Sequence, residues 1–416
     1  MTTKTFGRRG AAPAMQRPLL RSTIAAAAAG SVAAAPAAVL AQESAPPAHD
    51  ATIPEKSLIA DIPYLTAGMI VLLMVIFGLE KHWAFDIGKD GSLSVQSLIA
   101  FGAVSRDLVI GAGEWWRIAL APLLHASAWH LAGNCFALFF VGLRLEPMVG
   151  RGWFALIFMV SALGGVAGSL YGNPPDIVTV GASGAITGLI GALFVVSFHH
   201  RADPIEQRMM RRTSLRFGIP ALLPLAVATA GNVDYFAHAG GAVAGAACGL
   251  ALCAIWAADG ARPDLGRLAG VAALIGLAAS AVCAGIASTR YAAYAADAAQ
   301  YIPSADIPTT LKAGVQRSAE LVARYPKDPR AHLIHAYAMV EAHRLHDAEA
   351  ELRKTIALAP ANTAGRAIRN QAQGMLAAVV LDQGRRSEAR SLAEPACRAT
   401  DQAALRRILK QAKLCD

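Results

Sequence analysis

The sequence predicts an all-α, polytopic membrane protein that ends in a soluble helical tail. Three observations carry that reading. Of 416 residues 55% are hydrophobic and only 16% charged, whereas ordinary soluble domains are roughly a quarter charged. The apolar residues come in blocks, as membrane spans do, rather than spread through one soluble core. From about residue 305 the blocks stop and a polar, helix-patterned sequence takes over.

Seven candidate spans follow in order, at about 62–79, 118–141, 153–171, 180–198, 217–231, 235–256 and 268–288. Arg144 and Arg151 follow the second span, Arg262 and Arg267 the sixth, and Arg201, Arg208, Arg211, Arg212 and Arg216 crowd the link after the fourth. The links after the third and fifth spans carry no Lys or Arg. Positive charge on alternate links puts the N-terminus in the cytoplasm. The link after the first span mixes Lys81, Lys89, Arg106 and Arg117 with Asp86, Asp90, Asp107 and Glu114, and is assigned to the outside. The net charge of +9 is therefore a matter of topology. No basic stripe with interleaved aromatics is present, which excludes nucleic acid as the expected partner.

Residues 1–57 are expected to be a disordered cytoplasmic leader. They hold Arg8, Arg9, Arg17 and Arg21 and then "IAAAAAGSVAAAPAAVLAQES", which is similar to a signal peptide with a small-residue cleavage site. A translocated and cut leader would invert every later loop, against the charge pattern. After it, a six-helix core is expected over 58–258, a seventh transmembrane helix over 264–290 and a helical domain over 305–416. That last domain falls outside. The leader suggests a bacterial inner membrane, with the tail in the periplasm.

In the tail, Pro326 and Pro360 stand 34 residues apart. "HDAEAELRKTIALAP" between them matches the second helix of a tetratricopeptide-like repeat, with Ala348 where two helices must approach closely. A further unit centres on "RRSEARSLAEPACRA". Short stacks of such helix pairs bind a peptide or protein ligand, or act as a plain structural cap. Of six cysteines, Cys135, Cys248, Cys253 and Cys283 fall in spans and read as small packing residues. Cys397 and Cys415 could pair in an oxidising exterior.

The fourth span opens "GASGAITGLIGALF", with Ser183 near its outer end. The sixth also runs from outside inward and opens "DYFAHAGGAVAGAACGL", so His238 lies at the same depth. An ionisable side chain in a bilayer is costly and signals function by default. Gly241, Gly245 and Gly249 share the helical face of His238, while Gly184, Gly188 and Gly191 lie beside Ser183. Two such small-residue ridges let helices approach closely. The bland alternative is that the glycines only pack helices and the serine bonds a carbonyl one turn back. A histidine at matching depth on a matching face favours a nucleophile with its general base.

The second span supplies "LLHASAWHLAGN", with His125, His130 and Asn134. His130 and Asn134 are four residues apart and face the same way, able to donate hydrogen bonds to an oxyanion together with the backbone N–H of Ser183. Metal binding by the histidines is the rival reading. There is no HExxH and no carboxylate is expected nearby, so no metal and no cofactor is expected.

"GASG" around Ser183, "HLAGN" from His130, "EWWR" from Glu114, "RLE" from Arg144 and "AHAGG" around His238 together resemble the rhomboid intramembrane serine proteases, over about 60–258. The resemblance implies a six-helix core, a Ser/His dyad without a third carboxylate, a water-filled cavity open to the outside, and single-span membrane proteins as substrates. By position it makes Ser183 the nucleophile and His238 the general base, with His130, Asn134 and Ser183 forming the oxyanion hole. Gly181 and His125 are the substrate-binding positions it implies, His125 matching a histidine whose family role is structural or water-retaining. Trp116 and Arg117 match the first outer loop. Four residues after the nucleophile many members carry an aromatic against the catalytic imidazole, and here that position is Thr187, so either the imidazole is held less firmly or a residue such as Tyr235 or Phe236 compensates. An inactive rhomboid-like scaffold is the alternative, and a small transporter a more distant one, for which no inverted repeat is evident.

Overall fold

The computed structural model describes residues 63–199, 204–223, 233–257, 261–398 and 403–415. The expected leader, 1–57, lies outside the described residues. The first spanning helix, α1 (Tyr64–Trp83), has no cap from its own preceding residue. The buried Glu146 carboxylate supplies one instead, accepting from the N–H groups of Leu65 and Thr66 at 3.0 and 2.8 Å and from the Thr66 hydroxyl at 2.7 Å. A carboxylate suits the positive end of a helix. The glutamate of "RLE" therefore closes the packing of two spans.

The link after α1 is folded. Ser94 caps the short α2 (Val95–Phe101), which Gly102 ends at φ +116, and a single turn, α3 (Arg117–Leu120), follows. The second span was expected from 118, but its helix starts at Ala128, because Pro122 sits in a separate tight turn and Ser127 then caps the new helix through the His130 N–H at 3.2 Å.

That helix, α4 (Ala128–Gly172), has 45 residues. At about 1.5 Å per residue it would be more than twice as long as the roughly 30 Å hydrocarbon layer. It is in fact two helices meeting at Gly150, whose φ of +81 breaks the run, and they correspond to the expected second and third spans. α5 (Ser183–Val196) has only 14 residues, about 21 Å of helix, which is shorter than the roughly 30 Å hydrocarbon layer. α6 (Pro204–Leu222) takes up the arginine-rich segment that was expected to be a link: Arg208, Arg211, Arg212 and Arg216 are helical. It meets the expected fifth span, 217–231, as far as Leu222, and residues 224–232 lie outside the described ones. α7 (Tyr235–Ile255) and α8 (Gly266–Ala298) complete the apolar part, α8 running past the expected end at 290. Tyr64–Trp83, Ala128–Gly172, Tyr235–Ile255 and Gly270–Ala298 are long and apolar enough to cross a membrane.

α5 is enclosed by α4 and α7 at van der Waals contact of backbones. A Cβ at Gly241 would lie 1.9 Å from the Gly184 carbonyl oxygen, and one at Gly245 1.9 Å from that of Gly188. The glycine ridges meet.

α8 is tied to the loop after α1 through the "EWWR" segment. Arg117, fully buried, donates through Nε to Glu114 at 2.7 Å and through its other nitrogens to the Ala103 carbonyl at 3.0 Å and the Tyr294 hydroxyl at 2.8 Å. Arg290 of α8 pairs with the other Glu114 oxygen. Burial pushes the Glu114 carboxyl up, but the Arg117 hydrogen bond and charge, with Tyr294 and Arg290, outweigh it and hold it below the usual range. The Trp116 ring lies 4.4 Å from the Arg117 guanidinium, so both residues pack within the protein.

The tail continues with α9 (Leu311–Arg324), α10 (Pro329–Glu341), α11 (Leu345–Leu358), α12 (Thr363–Asp382), α13 (Arg386–Arg398) and α14 (Ala403–Gln411). Successive helices pack on one another, and Ala348 and Ala389 are fully buried at their contacts. Asp328 caps α10 through the Arg330 N–H at 2.8 Å, with Pro329 as its first residue, a position that needs no N–H. Cys397 and Cys415 are joined by a disulfide with Cα atoms 5.7 Å apart.

Candidate active site

Ser183 is the first residue of α5, so its backbone N–H has no partner inside the helix and its side chain stands at the helix N-terminus. Two residues earlier Gly181 holds φ at +122, a value open to glycine. A Cβ there would lie 2.7 Å from His130 Cε1, 2.8 Å from its Nε2 and 3.6 Å from Asn134 Nδ2. The structure thus brings the imidazole of His130 and the amide of Asn134 onto the backbone that leads into Ser183. Gly181 is itself fixed by its N–H bond to the Ala121 carbonyl at 2.9 Å.

His238 is in the first turn of α7, where Asp234 caps the helix through the Ala237 N–H at 2.9 Å. Its Nδ1 bonds to the Ala221 carbonyl near the end of α6 at 2.7 Å. A carbonyl only accepts, so Nδ1 carries the proton and Nε2 is the basic nitrogen. The backbones at Ser183 and His238 are held together by their neighbours, with a Cβ at Gly184 placed 3.3 Å from the Ala237 carbonyl oxygen. Among the described residues the Ser183 hydroxyl forms no hydrogen bond. Such contacts are often long before substrate binds.

Thr187 does not face the imidazole as the missing aromatic would. It is buried, and its hydroxyl lies between the carbonyls of Gly184, at 2.8 Å, and His238, at 3.0 Å. Thr187 therefore ties the His238 backbone to α5. The aromatic beside the imidazole is Tyr235, edge-on at 6.3 Å between ring centroids, whereas Phe236 packs on Gly172.

His125 is fully buried, which removes it from contact with a substrate. Its Nε2 accepts from Asn134 Nδ2 at 2.9 Å, and its ring stands edge-on to His130 at 5.1 Å. It aims the two residues in front of it. The His125 backbone N–H donates to both oxygens of Glu80 at 3.2 Å, so the expectation that no carboxylate lies nearby fails in space. Glu80 ends the first span, 45 residues away in sequence, and spacing carried no signal for it. Asp176, in the loop before Gly181, was likewise unmarked.

Polar side chains from α4, α5 and α7 thus gather at helix ends inside an all-helical, multi-pass membrane protein. The rhomboid domain family matches residues 112–255, which contain all of these, while Glu80 of α1 lies outside the match. Rhomboid protease AarA of Providencia stuartii is 32% identical over 206 residues, covering 45% of this chain and 72% of the relative. The chain belongs to the rhomboid family. Rhomboid protease GluP of Bacillus subtilis (strain 168) is 35% identical over 156 residues, 37% of this chain and 29% of its own length. RHOMBOID-like protein 1 of Arabidopsis thaliana is 33% identical over 175 residues, 39% of this chain and 42% of its own. The chain thus spans less than half of the length of either of these two relatives. No solved structure matches it.

Proposed function

We propose that this protein is an intramembrane serine endopeptidase that cleaves single-span membrane proteins in or next to their transmembrane helix. The observation that carries the reading is the tautomer of His238, whose Nδ1–H is committed to the Ala221 carbonyl. That leaves Nε2 free to accept a proton on the helix that touches α5 beside Ser183. An aspartate is not needed for this, because the carbonyl does the orienting.

In the reaction, a substrate helix unwinds so that a backbone carbonyl reaches Ser183, since amides within a regular helix are already bonded and shielded. His238 Nε2 takes the hydroxyl proton as Oγ attacks the carbonyl carbon. The oxyanion is met by the Ser183 N–H, the His130 ring and the Asn134 amide, which keeps one N–H after bonding His125. As the tetrahedral intermediate collapses, His238 gives its proton to the leaving amine. Water from the outer face then hydrolyses the acyl-enzyme with His238 again as base.

The N-terminus is read as cytoplasmic and the tail as periplasmic, in a bacterial inner membrane. The Cys397–Cys415 disulfide supports an oxidising compartment for the tail. The tail's paired helices fit the tetratricopeptide-like reading and a role in recruiting a peptide or protein ligand. Wild type, Ser183→Ala and His238→Ala in liposomes, given a labelled single-span substrate with a helix-destabilising segment, test the proposal. Cleavage by wild type alone supports it. Cleavage by all three overturns the Ser183/His238 dyad, and cleavage by none with folding intact favours the inactive scaffold.

A further inference from the structure

The loop from Asn173 to Gly181 delivers Ser183 and the Gly181 backbone to the site, and it is gripped from two sides. From the core, Val104 and Thr179 exchange both backbone hydrogen bonds, at 3.1 and 2.8 Å, and the Asp107 N–H donates to Pro175 at 3.0 Å. From the tail, the Thr363 N–H and hydroxyl donate to the two oxygens of Asp176 at 2.6 and 2.7 Å, with Arg366 at 3.8 Å. Thr363 is the first residue of the 20-residue α12, so the Asp176 carboxylate sits on the positive end of a long helix.

The same chemistry recurs on the other outer loop. The Ser304 N–H and hydroxyl donate to the two oxygens of Asp86, each at 2.8 Å, and Lys89 donates to the Ile307 carbonyl at 3.2 Å. Two carboxylates of the membrane core thus each receive an N–H and a hydroxyl from one tail residue. The tail spans both loops.

We infer that the docked tail is a positioning element for the active site, acting through Asp176 on the loop that sets Gly181 and the Ser183 N–H. This rests on the protease reading and assigns the tail an effect on turnover, beyond any recruitment of substrate. Oxyanion donors act only when aimed at the developing charge, and a displacement of about 1 Å costs on the order of a hundredfold. Asp176 stands five residues before Gly181, and the loop has no helix of its own to resist drift. Removing the tail's hold leaves the core's hydrogen bonds, so a partial loss is expected.

The test uses the full chain in liposomes. A fluorophosphonate reports the reactivity of Ser183 without a peptide substrate, and cleavage of a single-span substrate gives kcat and KM. Asp176→Ala is expected to label about tenfold more slowly than wild type, with kcat reduced alike and KM unchanged. Thr363→Val, which removes one hydroxyl and keeps the N–H, is expected to lie between, and Asp176→Glu to recover part of the rate. Labelling of Asp176→Ala at the wild-type rate or faster, or a rise in KM alone, overturns the inference and leaves the tail as a cover or a recruiting module. Wild type that labels no faster than Ser183→Ala sinks the protease reading, and this inference with it.

Discussion

His238 donates its Nδ1–H to the carbonyl oxygen of Ala221 at 2.7 Å. The acceptor belongs to the last turn of α6, where a helix leaves carbonyls unpaired. The orientation of the proposed base thus depends on the position of a neighbouring helix.

Weakening that acceptor should slow turnover without abolishing it. Replacing Leu222 with its α-hydroxy analogue turns the Ala221 carbonyl into an ester carbonyl, a poorer acceptor. A loss of about 1 kcal/mol corresponds to about fivefold in kcat. The same replacement at Ile219, away from His238, controls for the missing helix amide. Equal rates at both positions would show that the carbonyl does not orient the base.

Gly181→Ala should be inactive while still folded. Its φ of +122 strains any side chain, and the new Cβ would press on the His130 ring at 2.7 Å. Cleavage is expected to fall by at least about a hundredfold. Retained activity would remove His130 from the oxyanion role.

Gly245→Ala tests the contact that brings α5 to α7. The methyl would lie 1.9 Å from the Gly188 carbonyl oxygen, and overpacking of this kind costs about 1–3 kcal/mol. Gly285→Ala on α8 meets nothing within 4 Å and should leave stability unchanged or raise it by about 0.5–1 kcal/mol, alanine being the better helix former. Thermal unfolding in detergent reads both, and equal midpoints would refute the close approach.

Thr187→Tyr should destabilise the protein, since the side chain is buried between two carbonyls and a Cβ at Gly241 would be 3.0 Å from its hydroxyl. Faster turnover by the Thr187→Tyr variant would mean that the imidazole, and not the backbone, is what this position faces.

The tail contact should withstand mild acid. Burial raises the Asp176 carboxyl, but the hydrogen bonds from Thr363 outweigh it and hold it below its ordinary value of 3.8. A lowered folded value means that the ionised form is favoured on docking. Its contribution is full above the unfolded value and is lost as pH falls through the lower folded one. Hydrogen exchange at 173–181 and 362–366, corrected for intrinsic rates, should show constant protection between pH 8 and pH 5. Loss of protection within that window would assign the contact to another group.

The sequence by itself marked a polytopic, helical membrane protein, because about twenty apolar residues have no other stable setting than a bilayer or a large core. Glycine spacing likewise marked the faces on which α5 and α7 meet, since only small residues permit backbone contact. What it left out were groups brought together across long separations. Glu80 behind His125, Ala221 on His238 and Asp176 on Thr363 lie 45, 17 and 187 residues from their partners, and no periodicity links such pairs. The break at Gly150 and the start of α4 at Ala128 depended on backbone geometry around Pro122 and a positive φ. Composition and spacing act locally and fix which faces are apolar. The direction in which a buried imidazole points is set by whichever carbonyl or carboxylate the finished packing places beside it, and that is decided only in three dimensions.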